Sequence, residues 1–258
     1  MCGLSEHWLL PHNASILDSI DSNYRAHTVT CSSPSTFNGR TIGKGGVSIL
    51  WHKSLDSIVQ TVDINCDSET VFTIFFHTTR PSVLVLHLVI QLTYLKILLT
   101  DYQTTLQHMC KTPNVIVMGD FNARFHQIQT QNYSGMRTRD AYVCRFADNY
   151  NHTALPESEV CTGPRFTFVP YNNAPASRIN HILVDEHLVP VVHKCSVVDD
   201  APLNVSRHLP VHACVKVNIT PRSTDSLCEP FSKVCFRWNN PRQLQSYEHQ
   251  VSEILQKA

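Results

Sequence analysis

Short apolar runs, separated by polar stretches that contain glycine or proline, follow one another along most of the chain. Runs of this length that are rich in β-branched and aromatic residues are typical of strands. Many strands with few helices between them favour two packed sheets flanked by helices over a doubly wound parallel sheet. The predicted strands are 45–51, 71–76, 115–118, 166–169, 179–184, 189–198 and 208–217, the predicted helices 100–110 and 141–150, and the predicted loops 125–139 and 171–177.

The longest apolar run extends from Val83 to Leu99. A membrane-spanning helix needs roughly twenty residues with few or no charges, whereas this run contains His87 and Lys96 and follows Arg80-Pro81. We therefore predict a buried strand that leads into a helix, and no membrane segment.

Composition and charge narrow the class of protein. The chain has 258 residues, 42% of them hydrophobic, which is enough for one large domain with its own core. Lys plus Arg equals Asp plus Glu at 21 each, so any nucleic-acid binding must come from a local site rather than from overall charge. The ten cysteines are scattered without a CxxC pair, and no signal peptide is recognised. These features predict an intracellular protein, nuclear or cytoplasmic, with reduced thiols.

The segment from Val115 to Arg124 carries the strongest chemical signal. Four apolar residues lead into Gly119, and Asp120 and Asn122 follow at a spacing of two. Because residues i and i+2 of a strand point to the same face, the two polar side chains are predicted to project together. A carboxylate beside a carboxamide suits phosphodiester chemistry, in which one activates a water or a metal and the other orients an oxygen. A strand followed by a simple Asx turn is the alternative for this segment alone.

Four short segments are informative because of the order in which they occur along the chain. They are Leu4-Ser-Glu-His-Trp8, Gly119-Asp-Phe-Asn122, Ser177-Arg-Ile-Asn-His-Ile-Leu-Val184 and Ser206-Arg-His-Leu-Pro-Val211. Together they resemble the signature blocks of the endonuclease/exonuclease/phosphatase family. The amino-acid sequences of two further segments, 43–51 and 161–171, are most similar to those of the endonuclease domains of non-long-terminal-repeat retrotransposons. Ordered blocks at plausible separations are a far more specific signal than any one block.

The resemblance implies a four-layer α/β/β/α sandwich with two mainly antiparallel or mixed sheets, whose site lies at one sheet edge. It also implies Mg²⁺ or Mn²⁺ as cofactor and the phosphodiester backbone of DNA as partner; no protein partner is indicated. Carried over by position, Glu6 is the metal carboxylate and Asp120 positions or activates the attacking water. Asn122 orients that water or a phosphate oxygen, and His208 contacts the phosphate or transfers a proton. For Glu6 alone an ordinary solvated acid is the alternative, and for His208 a structural histidine at the start of a strand.

The resemblance covers roughly residues 1–218, so we predict one domain over that range. The stretch 219–236 is predicted as a linker because Pro221 to Pro230 is polar and turn-rich, and 237–258 as a helical tail outside the core. The family's opening strand has no counterpart before Met1, and the domain is therefore expected to lack it.

Two carboxylates of the family pattern are replaced. An Asp is expected where Asn180 stands, and a second where Arg207 stands. Asn180 keeps the shape and one acceptor oxygen but loses the charge, whereas Arg207 reverses the charge. Loss of a supporting carboxylate beside a catalytic histidine costs about 10⁴-fold in rate in analogous triads. We therefore expect a retroelement-derived endonuclease domain that is weakly active or inactive in this copy.

Three functions are compatible with these residues. The first is metal-dependent nicking of DNA, which rests on the joint presence of Glu6, Asp120, Asn122 and His208. The second is a non-catalytic nucleic-acid-binding remnant in which Arg207 contacts a phosphate. The third keeps the fold and changes the substrate to another phosphate ester. Lys44 and Lys53 are candidate backbone contacts, although solvated lysines are the default, and Trp51, Tyr171 and Phe166 are predicted as core residues.

Overall fold

The computed structural model describes residues 1–30, 35–37, 40–43, 45–57, 59–64, 71–77, 83–89, 114–125, 133–172, 174–199, 204 and 206–216. The chain divides into two units, Met1–Arg222 and Ser223–Ala258, of which the second lies outside the described residues. The predicted helix 100–110, the predicted continuation of the apolar run beyond Val89, the linker and the tail also lie outside them.

The described part of the chain is a mixed α/β structure in which strands far outnumber helices. Its α-helix is α1 (Thr138–Asn149), and 3-10 segments are Pro11–Ser19, Lys53–Leu55, Leu155–Glu157 and Glu186–Val191. Its strands are β1 (Cys2–Ser5), β2 (Tyr24–Val29), β3 (Ser35–Phe37), β4 (Arg40–Ile42), β5 (Val47–His52), β6 (Val59–Ile64), β7 (Val71–His77), β8 (Val83–Val89), β9 (Asn114–Asp120), β10 (His152–Ala154), β11 (Cys161–Thr162), β12 (Asn180–Asp185), β13 (Val192–Val197) and β14 (Val211–Val215).

The largest sheet has six strands in the order β10-β12-β9-β8-β7-β6. Its neighbours pair antiparallel except β8 and β9, which are parallel. Smaller sheets have the orders β1-β5-β2 and β11-β13-β14, and β3 pairs with β4. Antiparallel and mixed sheets are therefore both present, in agreement with the predicted fold class at this level.

Strand β9 forms the middle of the core because its two faces pack against different layers. Val115 and Val117 lie in a buried cluster with Val143 and Phe146 of helix α1. The intervening Ile116 belongs to a second cluster, which includes Val47 and Ile49 of β5 and Val184 of β12. Alternate residues of a strand point to opposite faces, so the continuous apolar run is explained by burial on both sides. The helix, the large sheet and the β5 sheet thus form three successive layers.

Most of the strand predictions are confirmed in position. The predicted strands 45–51, 71–76, 115–118 and 179–184 correspond to β5, β7, β9 and β12, and the predicted helix 141–150 begins three residues earlier than expected. The predicted strands 189–198 and 208–217 are shorter, as β13 and β14, and a 3-10 segment occupies Glu186–Val191.

The predicted strand 166–169 is wrong. Only Phe168 forms β-bridges there, one to Ser177 and one to His208. Strand β2 was not predicted, since its sequence Tyr-Arg-Ala-His-Thr-Val has no regular alternation. Among the described residues, no helix has the length and apolar character that crossing a membrane requires.

Candidate active site

Asp120 is the last residue of β9 and is held in a buried turn. The residue is only 6% exposed, and its Oδ1 accepts a hydrogen bond of 2.9 Å from the backbone N–H of Asn122. Asn122 has a left-handed backbone with φ +47°, a conformation that asparagine tolerates better than most residues. The expectation that strand alternation aligns Asp120 with Asn122 is therefore wrong. The strand ends at Asp120, and the Asx turn that was the alternative is formed.

Three of the predicted site residues converge at this end of the large sheet. Asn180 is the first residue of β12 and lies directly opposite Asp120 in the antiparallel register. His208 Nδ1 lies 3.0 Å from Asn180 Oδ1 and 3.9 Å from Asp120 Oδ2. The His208 side chain is about one third exposed, so solvent or a ligand reaches it, whereas Asp120 is buried and Asn180 is partly buried.

Thr167 supports this group from the interior. It is fully buried, and its Oγ1 accepts hydrogen bonds of 2.9 Å from the backbone N–H groups of both Ile179 and Asn180. The same hydroxyl lies 3.3 Å from Asn180 Oδ1. Sequence reasoning missed this residue, because a threonine inside a presumed strand gives no sign of which distant backbone its hydroxyl binds.

The loop that carries His208 is fixed by short-range hydrogen bonds. Asn204 Oδ1 accepts from Ser206 N–H at 3.0 Å, and Ser206 Oγ accepts from His208 N–H at 3.1 Å. Asn204 Nδ2 donates to the His208 carbonyl at 2.9 Å. The imidazole ring also packs beside the Phe168 ring, with a centroid distance of 4.7 Å. Hydrogen bonds to both the backbone N–H and the carbonyl of His208 therefore hold this residue in position.

The pKa of Asp120 is raised above its ordinary value, chiefly because burial disfavours the charged form. The negative charge of Glu6 raises it further, whereas the Asn122 N–H and the positive charges of His208 and Arg139 lower it. Arg139 lies in the first turn of α1, and sequence reasoning missed it because nothing in its local pattern points to Asp120.

Glu6 follows β1 at the point where the chain leaves the β5 sheet. Its backbone is left-handed with φ +54°, and that of Trp8 is also left-handed with φ +57°. Trp8 N–H donates to the Gly45 carbonyl at 2.9 Å, and a Cβ on Gly43 would meet the Trp8 carbonyl oxygen at 2.2 Å. The glycine turn before β5 therefore permits a close backbone approach that shapes the segment carrying Glu6. Strained backbone held by such packing is frequent at functional sites.

The guanidinium group of Arg207 lies over an aromatic ring. Its guanidinium carbon is 4.1 Å from the centroid of the Tyr171 ring, within the range of a cation–π contact. Tyr171 is 79% exposed, so its prediction as a core residue is wrong, whereas Trp51 is buried as expected. Lys53 is exposed, and Lys44 lies outside the described residues.

The donor chemistry at this site fits a small divalent cation. Glu6 acts on Asp120 as a like charge, and a nearby cation would offset that repulsion. Mg²⁺ is usually held by one or two carboxylates, with waters and substrate phosphate oxygens in the remaining positions. In the described part of the chain no three His, Cys, Asp or Glu side chains form a ligand cluster. A site of this kind, in which water and phosphate oxygens complete the coordination, needs no such cluster.

Comparison with known proteins extends the likeness to most of the chain. A sequence profile described as the Endonuclease/Exonuclease/phosphatase family matches residues 2–208. A comparison with curated protein sequences finds no match.

Among solved structures, the chain is similar to NExo, a 3′ phosphatase from Neisseria that was solved bound to a product DNA hairpin. The identity is 15% and the TM-score 0.56, over 83% of this chain and 88% of that one. An AP endonuclease from Archaeoglobus fulgidus gives 15% identity and a TM-score of 0.55 over the same shares. The endonuclease domain of TRAS1, a telomere-specific non-LTR retrotransposon, gives 14% identity and a TM-score of 0.48 over 74% of this chain and 80% of that one.

At these identities the structural neighbours indicate a shared fold, while the profile match spans four fifths of the sequence and includes every residue of the convergent site. On that match, the chain belongs to the endonuclease/exonuclease/phosphatase family.

Proposed function

We propose that the chain is a retroelement-derived, metal-dependent phosphodiesterase that nicks DNA, and that its turnover in this copy is weak or absent. The observation that carries the proposal is the meeting of Asp120, Asn180 and His208 at one sheet edge, with His208 Nδ1 3.0 Å and 3.9 Å from the two other side chains. The structural neighbours include a 3′ phosphatase solved bound to a DNA hairpin and an AP endonuclease, which supports DNA as the partner.

In the proposed reaction, Asp120 accepts a proton from the attacking water. Oδ1 of Asp120 is occupied by the Asn122 N–H, so Oδ2 is the oxygen available for that proton. Asn122 orients the water or a phosphate oxygen. His208 binds the phosphate or donates a proton of its own to the leaving oxygen. The water oxygen bonds to phosphorus as the P–O bond of the leaving strand breaks.

Glu6 would hold the divalent cation, Mg²⁺ or Mn²⁺. When bound there, such an ion neutralises charge that develops on the scissile phosphate. Two other residues near His208, Asn180 and Arg207, differ from the family pattern. Asn180 supplies no negative charge to His208, and Arg207 adds a positive charge beside it. The loss of a supporting carboxylate beside a catalytic histidine is the basis for expecting slow turnover.

The proposal is tested by nicking of supercoiled plasmid with purified full-length protein and Mg²⁺ or Mn²⁺. The double reversion Asn180→Asp with Arg207→Asp should raise the nicking rate by several orders of magnitude, up to about 10⁴-fold. Asp120→Asn introduced into the reverted protein should abolish that gain.

The controls are Asp199→Asn and His187→Ala, since both residues are exposed and lie outside the site. They should leave nicking by the reverted protein unchanged. If the reverted protein folds but shows no nicking above the level of its Asp120→Asn variant, the catalytic proposal fails.

We also infer that the three described layers belong to a four-layer α/β/β/α sandwich formed by residues 1–218. In this proposal 219–236 is a linker and 237–258 a helical tail, and the protein acts in the nucleus or cytoplasm. Limited proteolysis should cut first within 219–236 and leave a resistant fragment that ends near residue 218. A first cut inside the 1–218 segment would contradict these boundaries.

A second candidate is a non-catalytic DNA-binding remnant, which is favoured by the stacking of Arg207 on exposed Tyr171 next to His208. A guanidinium placed in this way can contact a phosphate while its flat face rests on the ring. Salt-sensitive DNA binding without cleavage, lost in Arg207→Ala but retained in a variant of the exposed Arg165, would support it. Binding that does not respond to Arg207→Ala would exclude it.

A further inference from the structure

We infer that Thr167 is a positioning residue, which fixes the amide orientation of Asn180 and through it the tautomer of His208. The inference rests on the proposed function only in taking His208 to be part of the site. Its consequence is that a neutral asparagine performs the geometric task of the carboxylate that the family pattern has at this position.

The hydroxyl of Thr167 has a limited number of hydrogen bonds to make. A hydroxyl offers one donor and two lone pairs, and both lone pairs of Thr167 Oγ1 are taken by the N–H groups of Ile179 and Asn180 at 2.9 Å. The remaining bond must therefore be a donated one. The group that receives it is the side chain of Asn180, 3.3 Å away.

A donor at this point selects which end of the Asn180 amide faces it. The amide nitrogen carries only donors, and it would leave the buried O–H of Thr167 without an acceptor. The amide oxygen accepts it and is consequently held towards the interior. An unsatisfied buried donor is unfavourable, so the amide orientation with its oxygen towards Thr167 is favoured.

The same oxygen lies 3.0 Å from Nδ1 of His208. Because the oxygen can only accept, Nδ1 must carry the hydrogen, and Nε2 of the neutral ring is left with its lone pair. Asp120 Oδ2 also favours Nδ1–H, but at 3.9 Å it acts through its field rather than through a hydrogen bond. The chain of bonds from Thr167 through Asn180 is therefore the stronger determinant.

The tautomer decides which chemistry His208 can perform. With Nδ1–H fixed inward, the part-exposed neutral ring presents the Nε2 lone pair, which accepts a hydrogen bond or a proton from water. Once protonated there, Nε2 has an N–H to donate to a phosphate oxygen or to the leaving oxygen. With the opposite tautomer, Nδ1 and the Asn180 oxygen would face each other as two acceptors. Thr167 thus protects the function of the ring although it contacts no substrate.

The test is ¹⁵N NMR of the histidine rings of the full-length, metal-free protein, at a pH well above the ordinary histidine pKa of about 6.5. The His208 signals are assigned by their loss in His208→Gln. In the unmodified protein His208 should give one proton-bearing Nδ1 and one bare Nε2. Thr167→Val should shift both nitrogens toward the average of the two tautomers, whereas Thr167→Ser should retain the original pattern.

Two further variants keep the test decisive. Asn180→Leu removes the acceptor without changing Thr167, so it should give the same tautomer mixture even if Thr167→Val does not fold. Asp120→Asn should leave the tautomer unchanged. A bare Nδ1 in the unmodified protein, or an unaltered pattern in folded Asn180→Leu, would overturn the inference. Because these signals are read without DNA or metal, they are independent of whether the protein nicks DNA.

Discussion

Acid should destabilise this protein through two buried histidines, of which His181 is the more strongly affected. His181 is fully buried, and its Nε2 lies 3.2 Å from the carbonyl oxygens of both Ala123 and Arg178. Since both neighbours are acceptors, Nε2 carries a hydrogen, and protonation would place a charge at Nδ1, a buried atom with no hydrogen-bond partner. Burial lowers the pKa of His181 to about 3 and that of His152 to about 4.

The direction and magnitude of this pH effect on stability follow from the linkage between proton binding and unfolding. A histidine whose pKa is lower in the folded than in the unfolded state contributes stability that is present above about pH 6.5 and is lost as the pH falls below it. At pH 5 the unfolded chain has gained protons at both positions while the folded protein has gained almost none. Each histidine then costs ~2 kcal/mol relative to pH 7.5. The pair therefore removes ~4 kcal/mol, a large part of the stability of a typical domain.

The assay is urea unfolding at pH 7.5 and pH 5, with His181→Gln as the variant. Glutamine does not titrate and keeps an N–H₂ donor, so the difference in unfolding free energy between the two pH values should shrink by ~2 kcal/mol. The raised pKa of Asp120 acts in the opposite direction, because its stabilising contribution is lost as the pH rises. The comparison is therefore made between proteins at the same pair of pH values. An equal pH dependence in both proteins would refute the reasoning.

Two other predictions concern the site and its supporting turn. Because the pKa of Asp120 is raised from its ordinary value of 3.8, the acid limb of the nicking rate in the reverted protein should lie above pH 3.8; an acid limb at or below the ordinary aspartate range would contradict this. Gly46→Ala should destabilise by about 3 kcal/mol in thermal unfolding, since Gly46 has φ +88° and an added Cβ would lie 2.4 Å from the His7 ring. Gly135→Ala is the matched control at about 1 kcal/mol, because Gly135 has φ +79° but no atom within 4 Å of an added Cβ; equal losses would show that crowding by His7 is not the cause.

The core of the fold could be predicted because local pattern and burial agree there. The apolar run 115–118 predicts a buried strand, and the structure shows it buried on both faces, with its alternate residues in two different clusters. The segment 166–169 shows the limit of this reasoning. Its composition is that of a strand, but within it only Phe168 forms isolated bridges, while the side chain of Thr167 binds the start of β12. Contacts with residues distant in the sequence are not visible in a local pattern.

The same distinction between local pattern and long-range contacts applies to the candidate site. The sequence alone determined which chemical groups are available, namely the carboxylates of Glu6 and Asp120, the amide of Asn180 and the imidazole of His208, because residue identity needs no coordinates. Only the tertiary structure decided how they meet. The antiparallel register of β9 and β12 sets Asp120 opposite Asn180, the loop before β14 brings His208 to them, and buried Thr167 orients the amide. These are long-range contacts, which depend on how the strands pair and pack rather than on the residues adjacent in the chain.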